Sequence, residues 1–433
     1  YRSCSNKWKA HGFHPPTNVE LPQFKAGRKA FRDLEYTQVN DVSQLRDCIR
    51  VLAQSSLIGF DTEFVAEDCY QPDLCLLQLG TRENIFLVDP KCFDSLDELW
   101  ELLTDGRRTV IVHAGREEIL FVQRATGKSI PRLFDVQVAV GFLGGEYPAS
   151  YGKLLQRFLN INVPKGETRT DWRKRPLSKA QLDYAALDVQ HLPELYDILK
   201  ERLEGLGRLG WLQNELEGRQ QALVEFTQQE GWCRISGVQS LHGNQLGVVR
   251  ALWRWREDRA RTKNMPARRV LRDDLIVELA KRGYSDKKQI AQIRGLHHAG
   301  FQRFLPEIAQ CVREGSQAEV PETPWAGRTK RVRTPALLQQ FLTAAMSFLC
   351  RNNEIAPAIV GTSDEVGRLV SYWLRGKELS EDHSDFPNLL RGWRKDFVGD
   401  PLYEIFLGKR ALRVEDPSSE MPLSLCEVDS EQN

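Results

Sequence analysis

The sequence has no stretch of roughly eighteen or more uncharged apolar residues, so a membrane-spanning helix is excluded. It has nine cysteines, an odd number, and no Cys-x-x-Cys pair among them. A disulfide framework and a zinc ribbon are therefore not expected, and free thiols in a reducing cytoplasm are. Neither sign of charge dominates. Lys and Arg number 60 and Asp and Glu 59, which leaves +1, so overall charge alone points to no partner. There is no Gly-x-x-x-x-Gly-Lys-Ser/Thr loop and no internal repeat, which excludes an ATP-driven motor of the P-loop kind and a solenoid. The opening residues, Tyr1-Arg2-Ser3-Cys4, hold no apolar core of a secretory signal. The sequence does not start with Met, so the N-terminus is expected to lie upstream.

What is present suits a globular chain. At roughly 150 residues per domain, 433 residues with 41% hydrophobic and 27% charged content imply about three domains. Residues 1–35 carry Pro15, Pro16, Pro22 and several bases and read as an extension. Short apolar runs then alternate with helical spacing. Leu57-Ile58-Gly59-Phe60-Asp61, Leu74-Cys75-Leu76-Leu77-Gln78-Leu79, Ile85-Phe86-Leu87-Val88-Asp89 and Thr109-Val110-Ile111-Val112-His113 read as buried strands, and 96–103 and 117–124 as helices. This alternation over 36–205 predicts an α/β domain with a mixed sheet flanked by helices. Residues 206–239 read as a helical connector, 240–314 as a small all-helical domain, 315–334 as a Pro/Gly-rich basic linker and 335–413 as a further helical module. Residues 414–433 bear six acids and no base, and disorder is expected there.

Three segments carry the chemistry. In Asp61-Thr62-Glu63, residues i and i+2 of a strand aim two carboxylates at one place. Like charges at the end of a buried strand repel, and a divalent cation relieves them. In Leu182-Asp183-Tyr184-Ala185-Ala186-Leu187-Asp188, Tyr184 and Asp188 stand four apart on one helical face, a phenol beside a third hard oxygen donor. In His113-Ala114-Gly115-Arg116-Glu117-Glu118-Ile119 a strand ends and a helix opens with acids in its first turn, as the helix dipole favours. Alone, each is more often a solvated strand end, an amphipathic helix or a simple helix start.

In this order the segments resemble the DEDD superfamily of 3′→5′ exonucleases, in the subgroup with Tyr in the last motif. More narrowly they resemble the bacterial ribonuclease D family. Asp61-Thr62-Glu63-Phe64 with Tyr70, Leu77-Gln78-Leu79, Val88-Asp89-Pro90, Phe134-Asp135-Val136-Gln137, Asp171-Trp172-Arg173 with Arg175-Pro176-Leu177-Ser178, and the stretch from Gln181 to Val189 carry the match over roughly 36–205. One departure stands at Glu118, where the family usually has Asp; the charge is kept and a methylene added.

The resemblance implies a ribonuclease H-like exonuclease domain that hydrolyses phosphodiesters with two divalent ions, Mg²⁺ or Mn²⁺, held by Asp61, Glu63, Glu118 and Asp188. Tyr184 would position the attacking water and help remove its proton, and nucleoside 5′-monophosphates would leave from a 3′ end. His113 is expected to serve packing. Phe64 and Tyr70 are candidates for stacking on the terminal base. Trp172, in the basic segment 165–175, is a candidate border of the incoming strand. Residues 250–272 hold nine bases against two acids, the footprint of a phosphate-backbone contact, with Arg254, Arg256, Arg268 and Arg269 as candidate contacts. Trp253 is expected in the core and Trp255 at the surface. Leu252-Trp253-Arg254-Trp255-Arg256-Glu257, Met265-Pro266, Val270-Leu271-Arg272-Asp273-Asp274 and Ile293-Arg294-Gly295-Leu296 resemble the HRDC domain, usually an auxiliary nucleic-acid binder. The expected function is cytoplasmic 3′→5′ exoribonuclease action on RNA with a single-stranded 3′ end, tRNA precursors included. The rival readings are a DNA exonuclease, and an RNA-binding protein weakened in catalysis by Glu118.

Overall fold

The computed structural model describes residues 34–163, 170–297, 299–323, 325, 332, 334–376, 379–381, 383 and 385–428. Nearly all of the expected N-terminal extension, part of the basic segment 165–175, most of the linker's basic run and the last five residues lie outside these.

Strands β1 (Thr37–Val39), β2 (Leu57–Val65), β3 (Asp73–Gly80), β4 (Ile85–Val88), β5 (Thr109–Val112) and β6 (Leu133–Asp135) form one sheet in the order β1-β4-β3-β2-β5-β6. The β4-β3-β2 centre is antiparallel, while β1, β5 and β6 join parallel to their neighbours. Helices α1 (Val42–Gln54), α2 (Asp97–Thr104) and α3 (Arg116–Thr126) alternate with these strands, and α4 (Val136–Gly141), α5 (Tyr151–Leu159), α6 (Lys179–Gln190), α7 (Leu192–Gly205) and α8 (Leu209–Gln228) follow. Local signals explain several starts. Asp41 caps α1 by accepting from the Gln44 N–H at 2.9 Å, and Ser178 and Gln181 form a reciprocal capping box on α6. The sequence places Asp61 and Glu63 at a strand end. β2 instead runs on to Val65 because β3 continues to pair with it, across an irregularity between Glu63 and Phe64.

Two glycines set how closely the helices lie on the sheet. A Cβ at Gly80 would come within 2.9 Å of the Val189 carbonyl oxygen, and one at Gly59 within 3.1 Å of both that oxygen and the Leu192 Cβ. The junction of α6 and α7 therefore rests directly on the β2–β3 backbone, which brings the residues of α6 down onto β2.

The second unit, α9 (Asn244–Thr262), α10 (Ala267–Val270), α11 (Asp273–Arg282), α12 (Lys287–Ala291), α13 (Ala299–Gln302) and α14 (Leu305–Gln317), buries its own core of Trp232, Val249, Leu252, Ile276, Leu279, Ile308 and Val312. Trp253 and Trp255 are both half-buried against it.

The chain then returns to the first unit. Helices α15 (Ala336–Asn352), α16 (Pro357–Val360), α17 (Ser363–Leu374) and α18 (Asp400–Phe406) share a single hydrophobic core with the sheet and its helices. Trp393 stacks on Trp211 at 5.1 Å and meets Phe142 edge-on at 5.0 Å. Arg394 and Glu215 form a buried ion pair at 2.8 Å. Arg208 donates to the carbonyls of Phe142 (2.8 Å) and Asn353 (2.6 Å), so one guanidinium seals both segments. The segment 335–413 is thus built into the sheet unit rather than standing as a separate module. The expected disorder from 414 is also corrected. β7 (Arg410–Val414) and β8 (Leu423–Glu427) pair antiparallel in a hairpin, and its paired Leu412 and Leu425 pack against the main core. A count of acids does not register these apolar positions.

No helix among the described residues is long and apolar enough to cross a membrane.

Trp393→Ala should cost about 3–5 kcal/mol, the usual cost of removing a buried indole. Hydrogen exchange should then show β5 and α15 losing protection together while α9 keeps its own. Independent loss in α15 alone would mean that the shared core is not cooperative.

Candidate active site

The site is built on β2. Asp61 and Glu63 both stand on the face that receives α6, with Asp61 directly opposite Gln78 on β3. Tyr184 and Asp188, one turn apart on α6, come down over them, and the Tyr184 hydroxyl hydrogen-bonds the Asp188 carboxylate. From the other side, α3 delivers Glu118, which is 5% exposed and accepts from the Thr62 hydroxyl at 2.5 Å.

One buried carboxylate fixes the approach of α3. Asp135 accepts from the N–H groups of Ala114 (3.1 Å) and Gly115 (3.0 Å) before α3, and from Gln137 (2.8 Å) at the start of α4. Ala114 has φ +56°, in the left-handed region that disfavours a side chain, and Asp135 holds it there. His113 sits beside this turn with its Nε2 2.9 Å from the Ala149 carbonyl, a packing position, and burial lowers its pKa.

The electrostatics follow from four carboxylates in a poorly solvated space. Burial, then the Asp188 charge, pushes Asp61 up to about 8. Burial, then Asp61, Asp188 and Glu118, pushes Glu63 up to about 9. Burial and Asp61 push Glu118 up to about 8, although the Thr62 hydroxyl opposes them. Burial pushes Asp188 up to about 7 against the pull of the Tyr184 hydrogen bond. Tyr184 is raised by burial and by Asp188, Glu63 and Asp61, and so keeps its proton. Among the described residues no three acids, imidazoles or thiols already stand gathered as a closed coordination shell. The donor set nonetheless suits a hard divalent cation: four oxygen acids, each raising a neighbour's pKa, with no Lys or Arg among the causes of any of their shifts.

The structure thus brings Asp61, Glu63, Glu118, Tyr184 and Asp188 together. It disperses the other candidates. Phe64 is half-buried and packs edge-on against Phe121 at 5.6 Å. Trp172, expected at the border of an incoming strand, is 4% exposed and lies 6.3 Å from the Tyr184 ring, so it supports that ring from within the core. Tyr70 faces α9, with Arg261 over its ring at 5.5 Å and its N–H donating to Asn264 at 3.2 Å.

The basic stripe is largely spent on ion pairs. Arg256 is 5% exposed and bonds Asp273 (2.6 Å) and the Leu271 carbonyl (3.2 Å), which removes it from the surface. Arg254 pairs with Glu230 at 2.7 Å and Arg268 with Asp273 at 2.9 Å. Arg259 pairs with Glu307 at 2.5 Å. Arg269 stays exposed, 3.5 Å from the Glu67 carbonyl. The acids Glu230 and Glu307 lie outside the stripe in sequence, so a window count misses them.

Sequence reasoning also missed the work of Asp135 and Thr62. An Asp between a strand and a helix is a cap signal that would have found the first; nothing in the sequence marks the second.

With this geometry in hand, comparison with known proteins is informative. A 3′-5′ exonuclease family model matches residues 36–204 and an HRDC domain model residues 245–312. The chain is 30% identical over 383 residues to ribonuclease D of Gluconacetobacter diazotrophicus, covering 87% of this chain and 94% of that one. It is 31% identical over 370 residues to ribonuclease D of Acidiphilium cryptum, covering 83% and 90%. Among solved structures, Escherichia coli RNase D, an exoribonuclease involved in structured RNA processing, superposes with a TM-score of 0.74 at 22% identity, over 86% of this chain and 99% of that one.

The raised carboxylates make a stability prediction. An unfolded Asp or Glu gives up its proton near pH 4, whereas these four hold theirs to about 7–9. Across that interval the folded state binds more protons, so stability falls as pH rises. The metal-free protein should lose melting temperature from pH 5 to pH 8. Asp61→Asn should melt a few degrees higher than the parent at pH 8, with the gap closing at pH 5. A gap independent of pH would show that the carboxylates do not repel.

Proposed function

The chain belongs to the ribonuclease D family, and from that premise we propose that it is a metal-dependent 3′→5′ exoribonuclease that trims RNA with a single-stranded 3′ end, tRNA precursors among its substrates, in the cytoplasm. The observation that carries this reading is the convergence of Asp61, Glu63, Glu118 and Asp188, from two strand positions and two helices, on one poorly solvated place with Tyr184 beside it.

The residues divide the work as follows. Asp61, Glu63, Asp188 and Glu118 would hold two divalent ions, Mg²⁺ or Mn²⁺. Bound there, the ions polarise the scissile phosphate and make the attacking water acidic. Asp61, at the centre of the four, interacts with Glu63, Glu118 and Asp188 alike and is the residue best placed to serve both ions. Tyr184, braced by Trp172 and hydrogen-bonded to Asp188, orients the water and receives its hydrogen bond on the phenol oxygen. Glu118 keeps the charge the family places there, and the Thr62 hydroxyl steers its longer side chain. Phe64, near the end of β2, and Tyr70, in the segment after it, are candidate base contacts. That Escherichia coli RNase D is an exoribonuclease of structured RNA supports the choice of RNA over DNA.

The HRDC unit would assist by charge. Lys263 makes no ion pair among the described residues, and Arg269 makes only the long contact to Glu67. Both are exposed; Arg269 lies on the side of the HRDC unit that meets the segment before Tyr70, and Lys263 lines a surface recess with Trp255, Arg259 and Glu307.

A 3′-tailed tRNA-like RNA incubated with Mn²⁺ or Mg²⁺ should shorten from its 3′ end with release of mononucleotides, and EDTA or Asp61→Asn should abolish this. RNA that is bound but never shortened would favour the binding-protein reading, and faster loss of a matched DNA would favour the DNA reading. Reversing Lys263 and Arg269 to Glu should weaken binding of long RNA and lower the salt dependence of affinity by about one unit of slope per lost phosphate contact. Hydrolysis of very short RNA should be spared; an equal loss on long and short RNA would remove the HRDC unit from substrate capture.

A further inference from the structure

Gln78 is the least explained residue near the carboxylates. It lies in the middle of β3, the central strand of the antiparallel part of the sheet, and is 0% exposed. Neither its Oε1 nor its Nε2 has a hydrogen-bond partner among the described residues. A primary amide carries two donors and an acceptor that accepts twice, and folded proteins rarely bury one with all of these unmet. A core position needing only bulk would be filled more stably by Leu or Met.

Its surroundings say which group it serves. In the sheet, Gln78 pairs laterally with Asp61 on β2 and with Leu87 on β4. Directly opposed residues of antiparallel strands put their side chains on the same face with Cβ atoms roughly 5 Å apart. The row therefore reads Gln38, Leu87, Gln78, Asp61; the exposed Gln38 is separated from Gln78 by Leu87, so of the two strands beside β3 only β2 offers Gln78 a polar partner. Above the row lies the junction of α6 and α7, pressed close by Gly59 and Gly80, with Ala185, Ala186 and Val189 on the buried side of α6. Of these neighbours on β2, β4 and α6, the polar one beside the amide is the carboxylate at the centre of the site.

We propose that Gln78 is a positioning residue for Asp61, whose Nε2–H donates to the Asp61 carboxylate when that carboxylate holds a cation. The donor fixes which oxygen of Asp61 is turned to the ion and which is turned to β3. An amide can do this without adding charge, whereas a Lys or Arg in the same place would compete with the cation. This inference rests on the reading of Asp61 as a metal-holding residue.

The test uses the full chain and Gln78→Met, which keeps the length and volume of the side chain and removes both polar ends. Its metal-free melting temperature should equal or exceed that of the parent, because an unmet buried amide is lost. Its affinity for Mn²⁺, read by calorimetry, should fall about tenfold or more, as for other groups that orient a metal ligand. In the parent, Mg²⁺ titration should move the Gln78 side-chain amide signal in ¹⁵N NMR, assigned by its loss in Gln78→Met. Parental Mn²⁺ affinity in Gln78→Met, or an amide signal that Mg²⁺ leaves in place, would overturn the proposal. Should Gln78→Met not fold, Gln78→Leu takes its place for both the affinity measurement and the assignment. Asp61→Asn measured in parallel separates the two levels. If it binds Mn²⁺ as tightly as the parent, the metal reading of Asp61 itself falls, and Gln78 falls with it.

Discussion

Four acids that repel one another are held within reach on three separate elements, and much of the catalytic unit can be understood as the frame that keeps them there. The repulsion has to be resisted from several directions. From below, the β2 backbone is locked between β3 and β5. From above, α6 is pressed onto the sheet because Gly59 and Gly80 leave no room for a side chain between them. From the side, α3 is held by Asp135, whose carboxylate is bonded to the turn before α3 and to the start of α4 at once. Each restraint is made of backbone contacts or backbone hydrogen bonds, which tolerate little drift. A frame of this kind gives a cation a prepared set of oxygens, so binding need not first gather the ligands.

The sequence carried the central part of this clearly. Asp61 and Glu63 are readable as a pair because strand alternation is strict, and Tyr184 with Asp188 because helical spacing is. Their joint meaning came from their order along the chain. What stayed hidden depends on partners remote in sequence. Arg256 looks like a surface cation in any local window, and only Asp273 and the Leu271 carbonyl take it into the core. Trp172 sits in a charged stretch that suggests exposure, yet it is buried behind Tyr184. The helices from Ala336 onward are amphipathic, which says that they cover something; the apolar pattern does not say that they cover the sheet unit some hundred residues earlier.

The HRDC unit touches the segment that leads out of β2. The segment after β2 is bound on one flank by Arg173, which grips Asp68 through both carboxylate oxygens at 2.9 Å. On its other flank Asn264 and Arg261 of the HRDC unit meet Tyr70. The stretch leading out of the catalytic strand is therefore clasped between two parts of the chain, and most of the arginines nearby are engaged in holding the HRDC unit's own shape.

The sharing of one core by residues before and after the HRDC unit has a consequence for biosynthesis. The surface formed by Phe142, Trp211 and Glu215 is complete only when Trp393 and Arg394 have been made. At elongation speeds of about 5–20 residues per second, that wait spans the synthesis of the whole intervening unit. The HRDC core, whose buried residues lie within 232–312 with Trp325 packed against Trp232, can close during this interval. On the ribosome the order of maturation is thus inverted relative to the order of the chain: the helical attachment is finished first, while the nuclease stays open with its aromatic seam uncovered. A chain released early would be an unfinished nuclease attached to a finished HRDC domain.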